Sequence, residues 1–222
     1  MLLERNVGMA QCERGVSQRH NFAVANITVV ITVISITAAV ICGCQTGAKN
    51  MSPDWSRNCE ALKRTKNVPA MDPGSDTEKA ALERFDSFYR EYSVDSITSG
   101  VREVYAAAAW FGDPFKIVEG IDEIEHYFLA MARPVKECGF VVETSCRSGN
   151  DYFIRWTMHL VSKAAPKERI ETIGVSHVRF NRDGKVIFQQ DYWDTGAMFE
   201  RLPVVGFWTR FAKRQIEKGL RE

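Results

Sequence analysis

The sequence predicts an α+β domain in which three helices pack on one face of a curved antiparallel sheet, leaving a half-open cone with a mouth. Three observations predict it. Apolar residues recur at helical spacing between Asp76 and Arg133, runs of strand formers follow one another from Glu137 to Trp193, and Asp183-Gly184 marks a tight turn before the last of these runs. With 222 residues, 45% of them hydrophobic, and a net charge of +1, the chain can bury one sizeable core and has no global bias toward nucleic acid.

The folded region opens at about Asp76, an acidic N-cap ahead of Thr77-Glu78-Lys79. Leu82, Phe85, Phe88, Tyr89 and Tyr92 then recur three and four apart and make one apolar helix face. A second helix is expected from Asp95 to Tyr105. Ala106 to Pro114 leaves the helix and ends as a strand or loop at Asp113-Pro114, since the residue before proline is pushed out of the helical region. Gly120 to Phe128 begins a third helix that runs to about Arg133. Strands are expected at Glu137 to Cys146, Tyr152 to Ser162, Ile170 to Phe180 and Val186 to Trp193. The turns fall at Gly149-Asn150, at Ala164-Ala165-Pro166, and at Asp183-Gly184, whose two residues are expected to supply positive φ. In the last strand the period of two sets Ile187, Gln189, Asp191 and Trp193 on one face and Val186, Phe188, Gln190 and Tyr192 on the other. An acid and an amide thus share a face with large apolar groups, either as a pocket wall or as an edge meeting solvent or a dimer partner.

Ahead of this region, residues 1–44 read as an export signal or membrane anchor. Met1 to Asn21 is polar and carries Arg5, Arg14 and Arg19, whereas Ile27 to Ile41 has no charge. The segment ends in Ile41-Cys42-Gly43-Cys44, which resembles the bacterial lipobox and would make Cys44 the lipidated mature N-terminus; the alternative is an uncleaved single-pass anchor. Either way the expected location is the cell envelope, on a membrane tether, with the periplasmic face of the outer membrane suggested by Gln45, which is not acidic. Residues 45–75, polar and holding Pro53, Pro69, Pro73 and Gly74, read as a linker. The tail, 201–222, mixes Leu202, Val205, Phe207, Trp208, Phe211 and Ile216 with Arg210, Lys213, Arg214, Lys218 and Arg221. That is the pattern of a basic amphipathic helix, on a membrane surface or packed on the cone or a dimer mate. The six cysteines show no paired metal spacing, and no His, Asp or Glu cluster has the spacing of a metal site, so no metal or cofactor is expected.

From Asp76 to about Glu200 the chain resembles the nuclear transport factor 2-like (NTF2-like) superfamily, in the branch of SnoaL-like cyclases and ketosteroid isomerases. The residues carrying the resemblance are Trp110-Phe111-Gly112-Asp113-Pro114, Gly120-Ile121-Asp122-Glu123-Ile124, and Val178 to Val186 leading into Asp191-Tyr192-Trp193-Asp194. The resemblance implies a cone-shaped pocket and, frequently in this superfamily, a homodimer through the outer sheet face. It also assigns roles. Asp113 falls at the general base of the isomerases, and Tyr89 at their oxyanion-donating tyrosine. Ser176 stands where they hold a protonated aspartate, and serine donates a weaker hydrogen bond. Asp191 matches a catalytic carboxylate of limonene epoxide hydrolase-like and some cyclase-like members, but Arg155-Trp156-Thr157 has threonine where the hydrolases need aspartate.

Two functions follow as expectations. One is an isomerase or cyclase that binds a small hydrophobic carbonyl compound, with Asp113 or Asp191 as proton shuttle and Tyr89 or Ser176 polarising an oxygen. The other is a non-catalytic envelope lipoprotein that binds a lipophilic ligand or a protein partner. Trp110, Phe115, Trp156, His177, Gln189 and Trp193 are the candidate pocket residues; the aromatics would line or fill the cavity, and His177 would line it or face solvent.

Overall fold

The computed structural model describes residues 53–201 and 205–220. The signal, Cys44 and the first part of the linker lie outside the described residues. Among the described residues no helix is long and apolar enough to cross a membrane.

Helix α1 (Pro53–Thr65) falls within the stretch that the sequence reads as linker. Proline at the first position, Asp54 in the first turn and Lys63 and Arg64 in the last suit its ends. Its buried contacts come from Asn58 and Ala61, a small polar and a small apolar residue, with Leu62 partly buried. So narrow a contact stripe leaves no sustained apolar period to read. Helix α2 (Asp76–Arg90) starts one residue earlier than expected. Ser75 is its N-cap, accepting from the Glu78 N–H. Helix α3 (Val94–Val104) opens with a capping box of Ser93 and Ser96. Strand β1 (Tyr105–Gly112) and the short β2 (Ile117–Glu119) precede α4 (Ile121–Ala132), whose N-cap Gly120 has φ of +87°.

Strands β3 (Val135–Ser148), β4 (Asp151–Ser162), β5 (Arg169–Phe180) and β6 (Val186–Trp193) complete one six-stranded sheet of order β2-β1-β6-β5-β4-β3. The sheet is mixed where the sequence predicts an antiparallel one: β1 lies parallel to β6 and all other neighbours are antiparallel. The chain reaches β6 from β1 through α4 and four intervening strands, so no hairpin imposes an antiparallel pairing. Bulges in β3, between Val135 and Glu137 and between Val142 and Thr144, bend the long β3–β4 pair. At the β5–β6 turn only Gly184 has positive φ, at +75°, so Asp183 does not share that conformation as the sequence suggests. The loop is longer than a two-residue turn, and the Asn181 side chain accepts from the Asp183 and Lys185 N–H groups within it.

Helices α2, α3 and α4 bury their apolar faces on the concave side. Phe88, Ile97, Val101 and Phe128 join Ile154, Val178 and Phe180 in the main core. On the convex side α1 covers β1, β6 and β5. Ala61 packs on the Trp110–Phe188 stack, the Asn58 amide donates to Gln190 at 3.0 Å, and Arg179 donates to the Leu62 carbonyl at 2.6 Å. After β6 come the short helix α5 (Thr195–Phe199), capped by the Asp194 carboxylate, and the exposed α6 (Val205–Gly219).

Candidate active site

The concave face encloses a cleft of about 580 Å³ of empty space, counted out to its open mouth. Its walls include Tyr92, Phe111, Tyr127, Phe140, Trp156 and Trp193. Asp113 and Asp191 are the carboxylates among them, and among the described residues no lysine or arginine lines the space. A smaller void beyond Tyr89 and Trp156 also touches Ser176 and Asp191.

Asp191 reaches the cavity because β6 alternates: Gln189 and Asp191, two apart, project to the concave side, while Phe188 packs on the convex side. Ser176 is the cross-strand partner of Asp191 and donates to its Oδ1 at 2.6 Å. The Gln189 amide donates to the same oxygen at 2.9 Å. Trp156 Nε1–H donates to Ser176 Oγ at 2.9 Å, so the hydroxyl accepts from the indole and gives its one proton to Asp191. The Trp156 ring lies flat over Gly174, where any Cβ would collide with it. Behind this layer, Tyr105 donates to Gln189 Oε1 at 2.6 Å, Tyr89 hydrogen-bonds to the Tyr105 hydroxyl, and Gln189 Nε2 donates to Tyr89 at 3.1 Å. With Tyr105 donating to Gln189, the Tyr89 proton is committed to Tyr105. These closed links set the amide so that its NH₂ faces Asp191.

Asp191 Oδ1 is therefore held by two donors, while no protein group among the described residues hydrogen-bonds to Oδ2. Burial pushes the carboxyl pKa up and the nearby Asp113 charge adds to the rise. The hydrogen bonds from Ser176 and Gln189 oppose both, and the balance lies at about 7. Asp113 is arranged differently. Its Oδ1 accepts from the Phe115 and Lys116 N–H groups, each at 2.8 Å, and its Oδ2 from the Tyr127 hydroxyl at 2.7 Å. All its links hold the turn after β1 and the ring on α4. Burial, then the bond to Asp113, raises the Tyr127 pKa and keeps that phenol a donor.

The structure brings Tyr89, Ser176, Gln189, Asp191 and Trp156 together, with Trp193 and Asp113 on the same cavity. Tyr89 and Ser176 spend their protons inside the network and have none left to polarise a substrate oxygen. Phe115 stands at the rim, 41% exposed and edge-on to Trp193. Trp110 and His177 do not line the cavity. Trp110 stacks on Phe188 on the convex side, its neighbour Phe111 taking the inner position. His177 likewise turns outward, its Nε2 2.7 Å from Asp151 and its ring stacked on Phe153.

Three tyrosines complete the site without having been singled out for it. Tyr105 and Tyr127 carry the bonds just described. Tyr92 lines the cavity, and its hydroxyl has no hydrogen-bond partner among the described residues. Desolvation and the surrounding negative groups raise its pKa well above the ordinary range, so it stays protonated and able to donate. A buried tyrosine tip needs a partner, which is the signal the sequence offers for all three. Among the described residues no group of three or more His, Cys, Asp and Glu side chains converges on a metal-sized site.

Residues 83–188 match the SnoaL-like domain family. The match ends at Phe188 inside β6, so Gln189, Asp191 and Trp193 lie on the continuation of the matched strand. No curated protein matches the chain. Among solved structures, a SnoaL-like protein from Jannaschia sp. CCS1 is 15% identical with a TM-score of 0.51, over 60% of this chain and 98% of that one. An NTF2-like protein of unknown function from Burkholderia pseudomallei K96243 is 15% identical with a TM-score of 0.49, over 59% of this chain and 100% of that one. An LEH-like epoxide hydrolase from M. tuberculosis is 16% identical with a TM-score of 0.47, over 58% of this chain and 90% of that one. At the first of these identities the likeness is one of fold, and the fold hosts many chemistries. The helices and the open mixed sheet give the chain an NTF2-like fold, and residues 83–188 within it are similar to the SnoaL-like domain family.

Proposed function

We propose that the domain is an acid–base enzyme of the isomerase or cyclase kind, which moves a proton within a small, largely apolar carbonyl compound. The observation that carries the reading is Asp191: one carboxylate oxygen is locked by Ser176 and Gln189, the other is turned to an apolar cavity, and the pKa is about 7. A base with that pKa can take a proton from a carbon beside a carbonyl and return it elsewhere on the same molecule. In this reading Asp191 Oδ2 accepts the proton and the free Tyr92 hydroxyl donates to the substrate oxygen as negative charge develops there. Tyr89, Tyr105 and Gln189 position the carboxylate. The absence of cations from the walls, among the described residues, favours neutral substrates over carboxylates and phosphates. The proposed enzyme works on a membrane tether, with the uncharged run Ile27 to Ile41 as its basis and Cys44 as the acylated residue.

The test is deuterium wash-in at the α-carbon of bicyclic ketones, followed in D₂O with the full chain. The parent protein is expected to catalyse exchange, and Asp191→Asn to lose about 10²- to 10⁴-fold of it. Equal rates in the two proteins would overturn Asp191 as the shuttle. A parent chain that binds the ketones, displacing a fluorescent apolar probe, yet exchanges none of them would be a binding protein instead. Acylation is read separately, as a fatty-acyl mass on the mature N-terminus that Cys44→Ala removes.

A further inference from the structure

Helix α6 presents its apolar side outward. Of the thirteen large hydrophobic residues exposed among the described ones, six lie in this last stretch: Val205, Phe207, Trp208, Phe211, Ile216 and Leu220. At 3.6 residues per turn they fall on one continuous arc. The opposite arc is the one attached to the domain. Lys213 pairs with Glu200 at 2.9 Å, Arg210 donates to the Glu200 carbonyl, and Gly206 is buried against that same carbonyl, too close for any Cβ. A surface helix ordinarily turns its apolar arc inward, and this one does the reverse.

We infer that α6 is a docking element for an anionic lipid surface. Charge selects this occupant over another apolar protein face. Val205 to Leu220 holds four cations (Arg210, Lys213, Arg214, Lys218) and one acid (Glu217), a net charge of +3 in a chain whose total is +1, so the remainder carries −2. Arg214 borders the apolar arc on one side, and Lys218 falls within it, between Phe207 and Phe211 in angle, while Lys213 is held by Glu200 on the attached side. That places ammonium and guanidinium groups at headgroup depth when the aromatics enter the acyl boundary. Fifteen residues of helix span about 22 Å, short of the hydrocarbon thickness of about 30 Å, so α6 lies in the surface and does not cross it. Against a second copy of the chain, the +3 stretch would meet its own like charge. Helix α5, against which α6 packs, also meets Phe115 at the cavity rim through Phe199, so the docking element is joined to the rim. The inference rests on α6 alone and stands whether or not Asp191 is a catalyst.

Hydrogen exchange of the amides of 205–219 tests it, with the full chain reconstituted in vesicles of phosphatidylcholine alone and of phosphatidylcholine with phosphatidylglycerol. Any insertion by the N-terminal apolar segment is common to both vesicles and cancels. Exchange in this segment is expected to slow about tenfold or more on the anionic vesicles relative to the neutral ones. Arg214→Gln with Lys218→Gln, which leaves the apolar arc intact, is expected to remove most of that difference, and Phe207→Ser with Phe211→Ser to abolish it. Equal exchange on the two vesicles would overturn the inference. So would protection that grows with protein concentration in the absence of lipid, which would assign the arc to a second copy of the chain.

Discussion

The two faces of one sheet treat their polar groups in opposite ways. On the convex face the polar side chains close on one another. Asp151 accepts from Arg179 and meets His177, Arg179 also reaches the Leu62 carbonyl and Thr65, and the Asn58 amide satisfies Gln190. Burial tends to raise the Asp151 pKa, but Arg179 and His177 outweigh it and hold the carboxyl below its ordinary value. On the concave face the network is as dense but stops short, leaving Asp191 Oδ2 and the Tyr92 hydroxyl, on two residues that line the cavity, without a hydrogen-bond partner among the described residues. A completed polar cluster fastens α1 to the sheet; an incomplete one is available to a ligand. The convex face has its own flaw, the buried Trp110 Nε1–H, which has no partner among the described residues, but Trp110 is packed on Phe188 and lines neither cavity.

Substitutions can break the contrast, beginning with the largest effect. Asp191→Asn should remove two to four orders of magnitude of proton exchange, as above, and leave the fold intact, because the amide oxygen still accepts from Ser176. On the convex face the effect should reverse. Arg179→Ala strips Asp151 of its guanidinium and α1 of two anchors, and should destabilise the domain by about 3 kcal/mol, read by denaturant unfolding, with the Asp191 titration unmoved. Tyr92→Phe should lower kcat by about 10- to 100-fold. Because its hydroxyl has no protein partner to lose, stability should shift by no more than about 0.5 kcal/mol. A large loss of stability in Tyr92→Phe would mean that the hydroxyl is structural, and the two faces would no longer differ in kind.

The pH dependence sharpens the same point. A carboxyl whose pKa is about 7 when folded and about 3.9 when unfolded binds its proton more tightly in the native state, so its contribution to stability is full below about pH 4. That contribution is lost as pH rises toward 7. Asp151 acts in the opposite sense: its pKa is lowered by folding, so its contribution is present at neutral pH and lost on acidification. Asp191→Asn should therefore flatten the decline in stability between about pH 4 and 7 without touching the acid limb, as followed by thermal unfolding across that range.

Much of the fold was legible because its signals are local. The apolar face from Phe85 to Tyr89, the strand alternation of β6 and the turn at Gly184 each depend on neighbours within a few residues. The pairing of Ser176 with Asp191 was half legible. Both residues were identifiable, but their register depends on the length of the Asn181 to Lys185 loop. Which side of an alternating strand faces in was not legible where both sides are apolar. Hence Trp110 beside Phe111, and His177 beside Ser176, lie on the face away from the cavity. Helix α1 escaped notice because Asn58 and Ala61 bury so little apolar surface. The parallel β1–β6 pair leaves no mark in sequence at all, since it joins segments about eighty residues apart.

The most direct test is a ¹³C NMR titration of the Asp191 carboxyl in the full chain, with Asp191→Asn to assign the signal. A midpoint near 7 would establish the open carboxylate of the concave face as a proton shuttle poised for neutral pH. A midpoint below about 5 would make it an ordinary ionised side chain and would contradict the functional distinction between the two faces.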